Sequence, residues 1–221
     1  MQLIHAFASY NVNFHPQTLK PMVLHNDMSI SALVLAGGLS RRMGGQNKGL
    51  KTINGKPMIS YSLGKLAAIT DEIFISTNDH IEDYQQFSCP IVSDILPGSL
   101  GPLAGIHAGL SAASTKLMLV AACDCPFLNI ELYHRLIKRM SEANVPISMA
   151  HDGERRQTTF VVINTNLKDN LSNYLKNGGR RLITWYQQEG LIEVDCSDDK
   201  NSFININSEA DIETNRPLFK D

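Results

Sequence analysis

The chain contains 221 residues, of which 43% are hydrophobic and 19% are charged. These proportions are typical of globular proteins and exclude a disordered, fibrous or coiled-coil chain, and a chain of this length can bury a core without disulfides or a structural metal. Its 20 Lys and Arg residues stand against 22 Asp and Glu residues, so no basic excess indicates nucleic-acid binding. A local cluster of cations would have to hold any anionic ligand.

From the cysteines and the apolar segments we expect a cytoplasmic protein that does not associate with a membrane. Four cysteines occur and none forms a CxxC pair: Cys89, Cys123, Cys125 and Cys196. We expect reduced thiols rather than a zinc site. No apolar stretch is long enough to cross a bilayer, and residues 1–28 lack the apolar core and cleavage site of a signal peptide. We predict a loosely ordered extension over these 28 residues, with Met28 as a candidate translation start.

Strand and helix signals alternate from Ser29 onward. Apolar runs predict strands over residues 31–36, 72–77, 90–93, 116–122, 145–150, 159–164, 191–194 and 203–206. Start and stop signals predict helices over residues 57–68, 80–87, 129–143, 167–176 and 180–189. A proline in loop 97–105 is predicted to begin a further helix, and Ser208 is predicted to cap the last one. Pro57 is assigned to the first turn of its helix.

Strands separated by helices predict a mostly parallel sheet with right-handed crossovers and flanking helices. We therefore expect a single α/β domain over residues 29–221. Ligands of such sheets bind beyond the carboxyl ends of the strands, and this rule selects the loops that follow Ala36, Thr77, Ser93 and Ala122.

The first strand runs directly into a loop rich in glycine and cations, residues 37–50 (GGLSRRMGGQNKGL). Glycines let backbone N–H groups approach an anion, and Arg42 and Lys48 can neutralise phosphate charge. A flexible surface loop with solvated cations is the alternative, but the position at a strand end favours phosphate binding. The spacing fits neither GxxxxGK[ST] nor GxGxxG.

Two carboxylates follow predicted strands. Asp124 comes after a buried apolar run and precedes Pro126, and Asp94 follows the third strand. A carboxylate at the exit of a buried strand is a ligand that Mg²⁺ prefers, and this ion shares its coordination sphere with substrate phosphates. Capping of the next helix is the alternative for Asp124, and the second carboxylate at the same edge favours a site.

Two further cationic segments remain open to more than one interpretation. Arg180 and Arg181 follow Gly178-Gly179 and open a helix, an arrangement that suits a phosphate but also fits a helix stop with solvated charges. Residues 151–156 (HDGERR) form a charged turn that equally fits a solvated hairpin tip. The combined features indicate a nucleoside triphosphate with Mg²⁺.

Residues 35–50 (LAGGLSRRMGGQNKGL) resemble the signature of nucleotidyltransferases built on a Rossmann-like sheet. The chain is most similar to the MobA family, the molybdenum cofactor guanylyltransferases. Supporting segments are NGKPM at 54–58, GPLAG at 101–105, CDCPFL at 123–128, HDGER at 151–155, GRR at 179–181 and FININSEADI at 203–212.

The resemblance implies transfer of GMP from GTP to the terminal phosphate of molybdopterin that bears molybdenum, with release of pyrophosphate. It implies nucleotide contacts at Leu35, Ala36, Gly37, Gly38, Lys48, Ser76, Asp94 and Asp124. Asp94 would bind guanosine and Asp124 would hold Mg²⁺. We expect Lys48, Arg42 and Asp124 to be the catalytic residues, because the nucleophile is the substrate's own phosphate. Arg180 and Arg181 are assigned to the phosphate of the pterin.

Two positions depart from the family pattern. Position 76 is serine where asparagine is expected, and Asn47 stands where the GGxDKGL pattern usually has aspartate. We expect a cytoplasmic monomer whose ligands are GTP and the molybdopterin cofactor. Molybdoenzymes and other cofactor-biosynthesis proteins are its candidate partners.

Three other functions compete with guanylyl transfer. A sister enzyme of the same fold would transfer CMP to a phosphorylated acceptor. A non-catalytic relative would bind nucleotide or cofactor only. Asn47 and Ser76 favour this interpretation, whereas Lys48, Asp94 and Asp124 oppose it. An NAD-linked oxidoreductase is disfavoured because the sequence has no GxGxxG.

Overall fold

The computed structural model describes residues 29–37, 47–98 and 100–219. The strands in this part of the chain are β1 (Ile30–Leu35), β2 (Thr52–Ile53), β3 (Lys56–Pro57), β4 (Ile73–Ser76), β5 (Ile91–Val92), β6 (Leu117–Ala122), β7 (Ile147–His151), β8 (Arg156–Asn164) and β9 (Leu191–Asp195). The α-helices are α1 (Ile59–Leu66), α2 (Ile81–Tyr84), α3 (Pro102–Ala112), α4 (Glu131–Ala143), α5 (Lys168–Lys176), α6 (Leu182–Glu189) and α7 (Glu209–Asn215).

Seven strands form the main sheet in the order β5-β4-β1-β6-β8-β7-β9. β1 pairs in parallel with β4 and with β6, and β9 pairs in parallel with β7. β8 is antiparallel to both of its neighbours, so it alone among the seven runs against the others. The predicted mostly parallel α/β sheet is confirmed.

Two apolar layers sandwich the sheet because its central strands bury both faces. Ala32 and Val34 of β1 pack with α1 and α4 on one face. Leu33 packs on the opposite face with residues of α3, α5 and α6. Continuous apolar runs such as SALVLA are typical of this two-sided burial.

A small hairpin, β2–β3, precedes α1 and corrects the prediction for Pro57. The prediction that Pro57 lies in the first turn of the helix is wrong, because Pro57 pairs with Thr52 in β3 and α1 begins at Ile59. A two-residue strand accepts proline since the ladder demands no N–H there. The predicted Asn54-Gly55 turn closes the hairpin with positive φ at both residues.

The segment after β9 crosses the end of the sheet instead of adding a strand. The predicted strand at 203–206 is wrong, because residues 197–203 form 3-10 turns and residues 204–207 are irregular. Phe203 packs in the first apolar layer, whereas Ile206 joins a separate cluster with Ile53 and Met58. Ser208 caps α7 as predicted, in a capping box with Asp211.

Among the described residues, no helix combines the length and the hydrophobicity that crossing a bilayer requires. The predicted extension at residues 1–28 lies outside the described residues.

Candidate active site

The carboxyl ends of β4, β1 and β6 are tied together by backbone hydrogen bonds. The N–H groups of Ala36 and Gly37 both donate to the carbonyl of Ser76, each over 2.9 Å. The Cys123 N–H donates to the Leu35 carbonyl over 3.1 Å. These bonds fix the start of the glycine-rich loop beside the end of β6, where Asp124 follows.

Lys48 stands on a 3-10 turn, Lys48–Leu50, that returns the loop to this edge. Asn47 caps the turn, and its side-chain oxygen accepts a hydrogen bond from the Gly49 N–H at 3.1 Å. The Lys48 Nζ lies 3.7 Å from Oδ2 of Asp124. A cation and a carboxylate that are 76 residues apart in sequence thus meet at the edge that the topology selects for ligands.

Several polar groups contact Asp124, whose side chain is largely shielded from solvent. Its side chain is 20% exposed. The Asn205 amide, oriented with its nitrogen toward the carboxylate, donates to Oδ1 and Oδ2 over 2.9 and 3.3 Å. Burial raises the pKa of the Asp124 carboxyl above its usual range, and the Lys48 ammonium opposes that shift. A carboxylate whose charge is only partly solvated gains from an added cation.

The irregular segment after residue 203 provides a second polar contact to the pair. The Lys48 ammonium donates to Oδ1 of Asn207. The Asp211 carboxylate accepts from the N–H groups of Asn207 and Ser208, each over 2.8 Å, and so fixes the backbone that carries Asn207. The Ile206 N–H donates to the Asp124 carbonyl over 2.8 Å.

The two cysteines that flank Asp124 are buried thiols. Cys123 and Cys125 both lie in the apolar layer that α1 and α4 form with the sheet. The two side chains are therefore on the same face of the sheet, as their spacing predicts. Burial raises the pKa of Cys123 to about 12, and it raises that of Cys125 still further. Both therefore stay protonated at neutral pH and are poor nucleophiles and poor metal ligands.

Asp94 follows β5, three strands away from β6 in the sheet. Strands are spaced about 4.8 Å apart, so the backbones at Asp94 and Asp124 are separated by roughly 14 Å along the edge. The Asp94 N–H donates to Oδ1 of Asn78, in the loop after β4, over 2.9 Å. The two carboxylates share the carboxyl edge without forming a pair.

Ser76 reaches the site through its backbone rather than through its side chain. Its carbonyl holds Ala36 and Gly37, whereas its hydroxyl lies against α3, where a Cβ added to Gly105 would come within 2.3 Å of Oγ. The absence of a side chain at Gly105 thus makes room for the Ser76 hydroxyl beside α3.

Arg180 and Arg181 lie in the turn between α5 and α6. α6 leads directly into β9, which is parallel to β7, so its beginning lies at the carboxyl edge. Arg180 Nη1 donates to the carbonyls of Leu175 and Gly179 over 2.8 and 2.6 Å, which closes the end of α5. No described hydrogen bond or ion pair joins either arginine to Lys48 or Asp124.

The charged turn predicted at 151–156 is the tip of the β7–β8 hairpin. The Asp152 carboxylate accepts from the N–H groups of Glu154 and Arg155, and Arg156 pairs with Glu193 of β9. Gly38 and Arg42, two further predicted site residues, lie outside the described residues.

Sequence reasoning did not assign roles to Asn205, Asn207 and Tyr84. The two asparagines alternate with isoleucines in the segment FININS, a pattern that indicates a strand with one polar face. What distinguishes these two asparagines is their contact with Lys48 and Asp124. The local sequence gives no indication of such long-range contacts.

A doubly wound sheet with a cation and a carboxylate paired at its carboxyl edge is an arrangement typical of nucleotide-binding α/β proteins. The family model of the MobA-like NTP transferase domain matches residues 32–190. The chain belongs to this family and is a nucleotidyltransferase.

Similar proteins share most of their length with this chain. It is 42% identical to a molybdenum cofactor guanylyltransferase of Mannheimia succiniciproducens over 185 residues, which cover 84% of this chain and 97% of the relative. It is 37% identical to the enzyme of the same name from Pasteurella multocida, over 85% of this chain and 99% of the relative.

Solved structures show the same fold. Molybdopterin-guanine dinucleotide biosynthesis protein A from Archaeoglobus fulgidus superposes with a TM-score of 0.70 at 22% identity, over 85% of this chain and 97% of that one. The 4-diphosphocytidyl-2C-methyl-D-erythritol synthase of Anaerococcus prevotii gives a TM-score of 0.66 at 17% identity, over 87% and 97%. At these identities the likeness concerns the fold alone.

Proposed function

We propose that this chain transfers GMP from GTP to the terminal phosphate of molybdenum-bearing molybdopterin. A phosphate oxygen of the cofactor attacks the α-phosphorus of GTP, the bond between that phosphorus and the bridging oxygen to the β-phosphate breaks, and pyrophosphate leaves. The guanylyltransferases that share 37–42% identity with the chain over 97–99% of their length support this reaction. The convergence of Lys48 and Asp124 at the carboxyl edge is the structural observation that carries it.

The proposed site residues divide between the two substrates. Leu35, Ala36 and Gly37 would border the nucleotide, with the Ser76 carbonyl holding the backbone of Ala36 and Gly37 and with Asp94 placed for the guanosine. Gly38, outside the described residues, is proposed to contact the same nucleotide. Lys48 and Arg42 would neutralise the charge that grows on the α-phosphate and on pyrophosphate. Arg180 and Arg181 would hold the phosphate of the pterin.

Asp124 is the proposed ligand of Mg²⁺. The described residues contain no cluster of three metal-binding side chains. A single, partly buried carboxylate nevertheless fits an ion that takes most of its ligands from substrate phosphates and water. When bound, Mg²⁺ would neutralise phosphate charge. Asp124 would hold that ion, and Lys48 would orient the phosphates from the other side.

The chemistry requires no protein nucleophile, because the cofactor phosphate supplies the attacking oxygen. The work of the protein is therefore to position two anionic substrates in line and to offset their charge. We place the reaction in the cytoplasm and expect the chain to act as a monomer that passes its product to molybdoenzymes.

The proposal is tested by pyrophosphate release with GTP, Mg²⁺ and the molybdenum-bearing cofactor. Lys48→Met and Asp124→Asn are each expected to lower kcat by about 10²-fold or more, because each removes a preorganised charge. Lys51→Met is the matched control, since Lys51 pairs with Glu209 at 2.7 Å instead of with Asp124. Near-normal turnover by both site variants contradicts the proposed site.

The choice of base is tested separately by comparing GTP with CTP. We expect GTP to be preferred, and a preference for CTP would assign the chain to the sister cytidylyl reaction. Absence of pyrophosphate release with either nucleotide, while GTP still binds, would support a non-catalytic relative.

A further inference from the structure

Tyr84 is a buried tyrosine whose hydroxyl points at the turn that carries Lys48. The side chain is fully buried at the end of α2, where its ring packs at 6.0 Å from that of Phe87. Its hydroxyl donates to Oδ1 of Asn47 over 2.6 Å. This same oxygen accepts the Gly49 N–H over 3.1 Å. One acceptor atom thus joins α2 to the residues on both sides of Lys48.

The contact leaves little freedom to the turn. Asn47 is only 8% exposed, and a Cβ added to Gly49 would lie 2.5 Å from the Tyr84 hydroxyl and 3.5 Å from Sγ of Cys123. The turn therefore lies between the tyrosine hydroxyl and the end of β6. Only a glycine permits this approach, and the approach sets the direction in which Lys48 leaves the backbone.

We propose that Tyr84 is a positioning residue that acts through Asn47 to hold the Lys48 ammonium beside Asp124. The inference rests on the proposed function, because it assigns Tyr84 a part in the same phosphate site. It also explains why an asparagine at position 47 can replace the aspartate of the family pattern. The position has to accept two hydrogen bonds, one from a hydroxyl and one from a backbone N–H, and an amide oxygen accepts both.

Removing one hydroxyl tests the arrangement without emptying the core. Tyr84→Phe is expected to lower kcat for guanylyl transfer about tenfold, the value of one hydrogen bond of ordinary strength. KM for GTP should change less than threefold, since the base and ribose contacts are untouched. Tyr186→Phe is the matched control, because Tyr186 is equally buried and its hydroxyl donates to the Thr158 carbonyl over 3.0 Å on the other face of the sheet.

A double-mutant cycle separates positioning from general stabilisation. In a Lys48→Met background, Tyr84→Phe should cause no further loss of kcat, because there is no ammonium left to position. An additional tenfold loss in that background overturns the proposal and leaves Tyr84 a structural residue. Asn47→Asp keeps both acceptor contacts and should retain kcat within about threefold, whereas a loss as large as that of Tyr84→Phe also contradicts the proposal.

Hydrogen exchange of the Gly49 amide gives a readout that does not depend on the reaction. We expect exchange to be about tenfold faster in Tyr84→Phe than in the wild type and unchanged in Tyr186→Phe. Unchanged exchange in Tyr84→Phe overturns the proposal. A wild-type chain that transfers no nucleotide while Tyr84→Phe speeds Gly49 exchange would refute the proposed function and leave the Tyr84–Asn47–Gly49 contact standing.

Discussion

Asp124 is a carboxylate whose surroundings oppose its own charge. Burial raises its pKa, so the folded state binds the proton more tightly than the unfolded chain does. The contribution of Asp124 to stability is therefore most favourable below the ordinary pKa of an aspartate and is lost as the pH rises through the raised value. A group that destabilises the empty protein at neutral pH is typical of a binding site.

Asp124→Asn should therefore separate activity from stability. At pH 7 we expect kcat to fall by about 10²-fold or more, while the urea midpoint of unfolding stays equal to or above that of the wild type. The difference between the two midpoints should shrink as the pH is lowered, because protonation removes the buried charge of the wild-type carboxyl. A variant that is clearly less stable than the wild type at pH 7 would show that Asp124 is a structural residue.

His107 on α3 has the opposite dependence on pH. It is 6% exposed, and its Nδ1 has no hydrogen-bond partner among the described residues. Burial lowers the pKa of His107, the Lys176 cation lowers it further, and Asp169 raises it. The unfolded chain therefore binds the proton more readily, so stability is lost as the pH falls below the ordinary histidine value of about 6.5.

We expect His107→Leu to reduce the sensitivity of the protein to acid. The wild type should lose more of its free energy of unfolding than the variant between pH 7.5 and 5.5, because only the wild type has a histidine whose protonation the fold opposes. Urea titrations at the two pH values measure this difference. Parallel losses in both proteins would show that His107 is protonated as easily when folded as when unfolded.

Two glycines of α3 allow this helix to pack closely against the sheet. Gly105 and Gly109 face the sheet, where the helix approaches β1 closely. A Cβ on Gly109 would come within 2.8 Å of Cδ2 of Leu33 and 3.1 Å of Sδ of Met118. Gly64 in α1 is different, because nothing lies within 4 Å of a Cβ added there.

The same substitution in these two helices should have opposite effects on stability. Gly64→Ala is expected to raise the free energy of unfolding by about 0.5–1 kcal/mol through lower backbone entropy in the unfolded chain. Gly109→Ala is expected to lower it by about 1–3 kcal/mol, because overpacking in the core outweighs that gain. Urea unfolding of both variants measures the effects, and equal shifts would show that α3 moves away from the sheet at little cost.

Prediction from sequence succeeded where the physical cause is local. The run SALVLA has apolar side chains on both faces, so it predicts a doubly buried strand wherever it lies, and Asp124 is recognised because it ends such a run. The prediction failed at Pro57 because proline fits the first turn of a helix and an edge strand equally well. Only the pairing with Thr52 decides between the two.

The contacts of the site were less predictable because they join distant parts of the chain. Asn207 is 159 residues from Lys48 in sequence. The segment FININS alternates like a strand, but its buried residues serve two different clusters, so the segment crosses the sheet end. The local sequence identifies Tyr84 only as an aromatic residue in a short helix. Its hydroxyl has a role only because the fold brings Asn47 into contact with it.

At the scale of the whole molecule, the candidate site joins residues 47–50, the end of β6 and the segment before α7. We expect Mg²⁺ with GTP to slow hydrogen exchange at residues 47–51 and at residues 204–208 together, because Lys48 and Asn207 are in contact. Residues 178–182 should change only when the molybdenum cofactor is added. Protection limited to one of the first two segments would contradict a shared site.

The position of Asn205 and Asn207 has a consequence for synthesis of the protein. A ribosome makes the glycine-rich loop and Lys48 early, whereas the asparagines that contact Lys48 and Asp124 emerge only after β9 has been translated. A nascent chain that stops before them contains all seven strands of the main sheet but lacks two polar groups that contact Lys48 and Asp124. Truncated translation products would thus lack the two amides that hold Lys48 and Asp124.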